Sequence, residues 1–281
     1  MVNNTIAQLS ISEFHEFREY LRQIAGIDLG DNKKYLVETR LKKILSEHKC
    51  SSTAQLVSLI KQPTNGKVRQ QVIDVMTTNE TFWFRDVYPY DYLKHTLLPQ
   101  LSQDQPGGRF RIWSAACSSG QEPYSMSMII EECLKENNSV RNLNVEIIAT
   151  DLSSEILQQA KQGIYDRLSI NRGLSNDRLN SFFEPQGDEQ WQMKRNLRQR
   201  INFRPLNLQE SYASLGRFDI VFCRNVLIYF SAELKKDILT RIHGTLKPGG
   251  YLFLGASETL AAASDLFDMV HCNPGVVYKA K

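Results

Sequence analysis

Residues 114–123, SAACSSGQEP, join the strand-like run Phe110–Trp113 to the apolar stretch Tyr124–Ile130. A strand, a small-residue turn and a helix in that order commonly cradle a nucleotide, yet this turn has a single glycine, Gly120, where a pyrophosphate loop uses several. Ala115, Ala116, Ser118 and Ser119 keep the backbone open to a ligand, and the helix that follows offers its first N–H groups. Glu122 at the helix start would repel phosphate and attract a cation or an amine. An ordinary tight turn is the alternative. Asp151 follows the run VEIIAT, where a carboxylate can accept two ribose hydroxyls or cap the next helix, and the two roles are compatible. The segment FDIVFCRNVLIYF ends a buried strand in Cys223, Arg224 and Asn225, with Tyr229 beyond. Asn225 lies where open α/β sheets place their ligands, and its amide could bond an adenine or a substrate. In LKPGGYLFLG, Lys247–Gly250 reads as turn chemistry. His15, His48, His95, His243 and His271 all lie outside these motifs, so imidazole acid–base catalysis is not indicated.

The elements that must hold these residues divide the chain in two. From Ser10 to about Met76 the periodicity is helical. Ser10 and Glu13 have capping-box spacing, Phe14, Phe17, Leu21 and Ile24 follow at helical steps, and Gly26–Asp31 breaks the pattern. Leu36, Val37, Leu41, Ile44 and Leu45 predict a second helix, and shorter apolar sets on either side of QPTNG predict two more. After a transition over 77–108, the continuously apolar runs FRIWSAA, VEIIAT, FDIVFC and YLFLGA alternate with helical segments. That alternation indicates βαβ units, hence a doubly wound, mostly parallel sheet covered on both faces. LFDMVH, CNPG and VVYKA read as a hairpin that puts an antiparallel strand at the sheet's edge. A polar stretch between Gly163 and Arg204, in which Trp191 and Met193 alternate with polar residues, reads as a small antiparallel insertion.

The bulk composition sets limits. With 281 residues, 42% hydrophobic and 23% charged, and a net charge of +3, the chain is globular and not a wholesale nucleic-acid coat. Cys50, Cys117, Cys133, Cys223 and Cys272 form no CxxC pair, which predicts neither a disulfide framework nor a zinc site and suits the cytoplasm. No export signal or membrane span is expected.

Asp151, FDIVFCRNVLIYF and LKPGGYLFLG together resemble class I S-adenosylmethionine-dependent methyltransferases. TTNETFWFRD (77–86), CSSGQEPYS (117–125), FCRNVLIYF (222–230) and the helical N-terminal part resemble the chemotaxis receptor methyltransferases, the CheR-type protein-glutamate O-methyltransferases. The likeness covers nearly the whole chain. It implies an all-α receptor-recognition domain at 1–77 and a cofactor-binding methyltransferase domain at 78–281 with a β-subdomain inserted at about 168–203. It further implies that Asn79, Thr81, Arg85, Gly120, Glu122, Asp151, Asn207, Leu208, Arg224 and Asn225 surround S-adenosylmethionine, that Arg85 and Tyr229 stand nearest the transferable methyl, and that no metal takes part. Of Phe82, Trp83 and Phe84, two are expected in the core.

The implied partner is the acidic cytoplasmic coiled coil of a chemoreceptor. Lys33, Lys34, Arg40, Lys42, Lys43 and Lys49 against Glu38 and Glu47 give a local +4, either a docking face for that partner or a solvated helix face. Some family members tether to a receptor's C-terminal pentapeptide through a longer, glycine-richer insertion; FFEPQGDEQWQMKRN has one glycine, so no tight pentapeptide binding is expected. Two rival readings are a cofactor-binding regulator without turnover and a nucleic-acid methyltransferase. The latter would use KRNLRQR and Arg204 as phosphate contacts, but an Asn/Asp-Pro-Pro-aromatic motif and a Pro-Cys nucleophile are both missing from CRNVLIYF.

Overall fold

The computed structural model describes residues 7–137, 140 and 142–281, the side chains of residues 261 and 262 aside. The N-terminal part consists of α1 (Ile11–Ala25), α2 (Lys34–Glu47), α3 (Thr53–Lys61) and α4 (Gly66–Met76). The expected capping box forms at α1: the Ser10 side chain accepts from the Glu13 N–H, and the Glu13 carboxylate accepts from the Ser10 N–H. Phe14, Phe17, Leu21, Val37, Leu41, Leu56, Val57, Ile60 and Val72 fill a core separate from that of the sheet.

A connecting helix follows, α5 (Tyr88–Tyr92) and α6 (Leu98–Asp104) joined by a π-helical turn at Leu93–Leu97. The remainder runs in the order β1 (Arg109–Ala115), α7 (Gln121–Glu136), β2 (Asn144–Asp151), α8 (Ser154–Gln162), β3 (Ile164–Asp166), α9 (Arg167–Asn171), α10 (Asn176–Phe182), β4 (Phe183–Pro185), β5 (Gln190–Met193), α11 (Arg195–Gln199), β6 (Ile201–Pro205), β7 (Phe218–Cys223), α12 (Ala232–Thr245), β8 (Leu246–Leu254), β9 (Phe267–Cys272) and β10 (Gly275–Ala280).

Seven strands form one sheet in the order β6-β2-β1-β7-β8-β10-β9. The pairs from β6 through β8 are parallel, and β10 runs antiparallel to both β8 and β9. The expected hairpin therefore makes the sheet's edge, with its antiparallel strand one position in. Side chains alternate between two cores: Phe110, Ile112, Ile147, Ile220 and Phe222 face the α7 side, while Trp113, Ile148, Val221 and Cys223 meet Ile238, Leu239 and Ile242 of α12. All six residues of β7 are buried, and its one charged member, Asp219, accepts from the Lys247 ammonium (2.8 Å) and the Arg111 N–H (2.8 Å).

The insertion is a three-stranded antiparallel sheet, β3-β5-β4. It starts at Ile164, inside the stretch between Gly163 and Arg204 read as an insertion, and Ile201–Pro205 pairs in register with Ile147–Asp151 of the main sheet. INFRP buries only Ile201 and Phe203, and an edge strand with so little apolar signal merges in sequence with the polar insertion before it.

Candidate functional site

A cavity of about 370 Å³ opens at the carboxyl ends of β1, β2 and β7, where the strand order reverses. Its other wall comes from the helical domain, through Ile27–Gly30, Lys33, Leu36 and Met76. The two parts are bonded together there: the Asn207 amide donates to the Ile24 carbonyl (2.8 Å), the Asp28 N–H donates to the Tyr229 carbonyl (2.8 Å), and Asp74 accepts from the Ser154 N–H (3.0 Å).

The loop after β1 bends through left-handed residues, Ala116 (φ 67°) and Ser118 (φ 50°), and this turns the Ala116–Ser118 backbone toward the cavity. Asp151 holds that bend by accepting from the Ser118 N–H (2.8 Å) and the Ser153 N–H (3.0 Å). The cap of α8 is Ser153, not Asp151. Asp151 is thus free of capping duty and lines the cavity, with burial raising its carboxyl pKa above the ordinary value. Gly120 does not line the cavity. At φ 94° its α-carbon packs under Tyr165, Ala160 and Tyr124, where a Cβ would come within 3.0–3.1 Å of each, so its glycine serves packing.

Glu122 lines the cavity and is already engaged: it accepts from the Ser114 hydroxyl (2.7 Å) and from Arg224 Nη1 (3.1 Å). Burial raises its pKa against the opposing pull of Arg224. The Arg224 side chain is 1% exposed, and its Nη2 donates to Asp86 Oδ2 (2.6 Å) and the Arg85 carbonyl (2.8 Å). Burial disfavours the guanidinium's charge, but Tyr90, Glu122 and Asp86 outweigh it and hold the pKa above normal. Among the described residues, Arg224 Nε and Tyr90 Oη are buried atoms of cavity residues without a hydrogen-bond partner. Unpartnered polar atoms in a cavity of this size are those a polar ligand would satisfy.

Asn79, Thr81, Arg85, Asn207, Leu208, Asn225 and Tyr229 all line the same cavity. The Arg85 guanidinium lies 5.2 Å from the Phe82 ring centroid and, among the described residues, forms no ion pair within 4.0 Å. Trp83 and Phe84 are buried and Phe82 faces the cavity, which is the expected two-to-one division. Asn225 adopts φ 58° because Glu258 accepts from its N–H (2.7 Å) and from those of Gly255 (2.8 Å) and Ile228 (3.3 Å). Six of the seven non-glycine residues with positive φ among the described residues (Phe84, Asp86, Val87, Ala116, Ser118 and Asn225) lie on this cavity or beside Arg85, a concentration of strain typical of functional sites.

The basic run separates by role. Lys33 reaches the cavity wall, whereas Lys34 and Lys43 lie 3.9 Å and 3.7 Å from Glu38 and Glu47 on the helix surface, and Lys42 is exposed. Arg40 turns inward and donates to the carbonyls of Met76 (2.8 Å) and Thr77 (3.1 Å), capping the end of α4. Asp86, Tyr90, Glu258 and the Ile27–Gly30 loop were not picked out from sequence. Of these only Glu258 had a local signal, an acid just past the end of the strand in LFLGASE.

This fold, with a phosphate-loop position that is poor in glycine and an acid ending β2, defines a class I S-adenosylmethionine-dependent methyltransferase. Residues 12–77 match the family description "CheR methyltransferase, all-alpha domain" and residues 79–276 match "CheR methyltransferase, SAM binding domain". The chain belongs to the CheR methyltransferase family. It is 54% identical over 269 residues to "Chemotaxis protein methyltransferase Cher2" of Pseudomonas putida and 55% identical over 270 residues to "Chemotaxis protein methyltransferase 1" of Pseudomonas aeruginosa, in each case covering 96% of this chain and 98% of the relative. Against "Chemotaxis protein methyltransferase" of Vibrio anguillarum it is 47% identical over 277 residues, 99% of this chain and 100% of the relative. The cavity lining fits such a donor in kind: it carries the carboxylates of Asp151 and Glu122 and an apolar wall of Leu152, Leu206 and Leu208. Among the described residues no helix is long and apolar enough to cross a membrane.

Proposed function

We propose that the protein methylates glutamate side chains in the cytoplasmic coiled coil of chemoreceptors, giving glutamate methyl esters. The observation that carries this reading is the Arg85 guanidinium, which lines the cavity without a carboxylate partner among the described residues while Arg224 nearby is committed to two. An open cation beside the donor site suits an anionic side chain. Bound S-adenosylmethionine supplies an electrophilic methyl on a positively charged sulfur. Glutamate, with an ordinary pKa of about 4.3, is already ionised at neutral pH, so no general base is needed, and among the described residues no histidine lines the cavity. The chain's work is positioning: holding the reacting groups in line is worth roughly 7–11 kcal/mol. Arg85 orients the incoming carboxylate, the Tyr229 hydroxyl fixes substrate or donor, and Phe82 with the Ile27–Gly30 loop keeps water out.

Lys33 at the cavity and the exposed Lys42 and Lys43 support approach of an acidic helix; Arg40, spent on α4, is not part of that face. The expectation of weak pentapeptide binding draws support from the insertion's basic run, most of which is occupied. Lys194 donates to the Ser181 carbonyl, Arg198 to the Met193 carbonyl, and Arg200 to Ser127 and Glu131. The deciding experiment incubates the protein with methyl-labelled donor and receptor cytoplasmic fragments. Base-labile label that disappears when receptor glutamates become glutamines, and that Arg85→Ala abolishes, supports the reading; label on nucleic acid instead, or none at all, refutes it.

A further inference from the structure

The segment that carries Arg85 holds three of the seven non-glycine residues with positive φ among the described residues. Phe84, Asp86 and Val87 have φ of 52°, 67° and 53°. The Tyr88 N–H donates to the Asp86 carbonyl (2.5 Å) across Val87, whose φ of 53° and ψ of −56° make this a γ-turn of the rare, strained hand. A β-branched residue is among the worst for such a turn, and Val87 is 58% exposed, so its side chain recovers little by packing. The upstream end is anchored: Ser125 Oγ accepts from the Phe84 N–H (3.1 Å), and Arg178 stacks 3.8 Å from the Phe84 ring centroid, held by Glu132. Downstream, α5 begins at once. Between these anchors the bonds from Arg224 to Asp86 Oδ2 and to the Arg85 carbonyl join Arg85–Asp86 to the body of the domain. Arg224 in turn is fixed by Glu122 at the start of α7.

We propose that Asp86, acting through Arg224, is a positioning residue: the pair holds a strained turn in the one conformation that presents Arg85 to the cavity. The inference rests on the role given to Arg85 above. Without the Asp86 carboxylate the turn relaxes and Arg85 samples other orientations, while the donor pocket around Asp151, Asn207 and Leu208 keeps its shape.

The test combines Asp86→Ala with relief of the strain. Asp86→Ala loses about tenfold to a hundredfold in turnover on receptor fragments, as expected for one charge-assisted bond, with the Kd for S-adenosylhomocysteine within about threefold of wild type. Asp86→Asn, which keeps one acceptor, falls between. Val87→Gly alone is close to wild type, because glycine accepts the turn and the clamp still holds it. Combined with Asp86→Ala it restores most of the lost turnover, which a merely structural defect would not allow. Wild-type turnover in Asp86→Ala, no rescue in the double variant, or a loss of cofactor affinity equal to the loss of turnover would overturn the proposal. Hydrogen exchange provides a readout that needs no substrate. Amides 84–88 of the S-adenosylhomocysteine-loaded protein should exchange faster in Asp86→Ala than in wild type, and unchanged exchange also sinks the clamp. If the wild type transfers no label to receptors, the functional reading fails and the clamp is judged on exchange alone.

Discussion

Asp151→Asn tests the best-defined corner of the cavity. The native carboxylate, in a residue 7% exposed, gives one oxygen to the Ser118 N–H at 2.8 Å and the other to the Ser153 N–H at 3.0 Å. An isosteric amide can satisfy only one of them; its NH₂ must face the other N–H, donor against donor. Losing a charge-assisted bond costs about 1.5–3 kcal/mol, and stranding a buried N–H costs about 1–3 more. Against this, burial already raises the Asp151 pKa, so the neutral side chain recovers part of the desolvation cost of the charged one. The net expectation is about 2–3 kcal/mol of destabilisation, or a fall in Tm of roughly 4–10 °C for a chain of this size. The same change releases the left-handed Ala116–Ser118 bend and removes acceptors from the cavity, so the Kd for S-adenosylhomocysteine should rise about tenfold to a hundredfold, equivalent to about 1.4–2.8 kcal/mol. Calorimetric melting without ligand and titration with ligand read the two effects separately. A Tm within about 1 °C and a Kd within about twofold of wild type would refute the dual role. Loss of stability alone would reduce Asp151 to a loop staple.

Two other changes separate charge from packing elsewhere. Glu122→Gln should raise the Kd for S-adenosylmethionine by about tenfold while lowering Tm little, because burial already disfavours the Glu122 charge and an amide oxygen can still accept from Arg224; equal affinity in titration would remove Glu122 from the donor site. Glu132 reports on pH. Burial pushes its pKa up, but hydrogen bonds from Arg178 and Lys94 outweigh that and leave it below the ordinary value. A lowered native pKa means that stability is fully present above about pH 4.5 and is lost as pH falls through the native value. Glu132→Gln should therefore cost about 1.5–3 kcal/mol in denaturant melts near pH 7, with the gap to wild type closing toward pH 3; a gap independent of pH would contradict the ion pair's role.

How much of this was legible in the chain differs by element. The Ser10–Glu13 box and the β7 run FDIVFC are local: a cap needs residues three apart, and a strand buried on both faces reads as a near-continuous apolar run, interrupted here only by Asp219. Strand β6 was missed because INFRP earns its place through pairing with β2: its alternation rests on Ile201 and Phe203 alone, too short to stand out from the polar insertion before it. Among site residues, Asn79, Thr81, Glu122, Asp151, Asn207, Leu208, Arg224, Asn225 and Tyr229 do converge on one cavity, whereas Gly120 turns out to serve the packing of Tyr165 and Tyr124. Arg40 looked like one more surface cation and proved to be a helix cap, since nothing in a basic run says which member has carbonyls within reach.

What the sequence determined by itself was the set of chemical parts and the strands that carry them: apolar runs of β7 and β8, a turn too poor in glycine for phosphate, acids at the ends of turns. Only the tertiary structure decided which charges were still available. Arg224, 102 residues from Glu122, is shared by two acids, Glu122 and Asp86, so it is fully committed and one negative charge of the set remains, while Arg85 is left as a cation on the cavity with no acid partner among the described residues. Pairing of this kind depends on distances of about 3 Å between groups from different strands and loops, and in the low-dielectric cavity those distances set the energy. Residue type fixes a charge, but only folding says whether it is already spent.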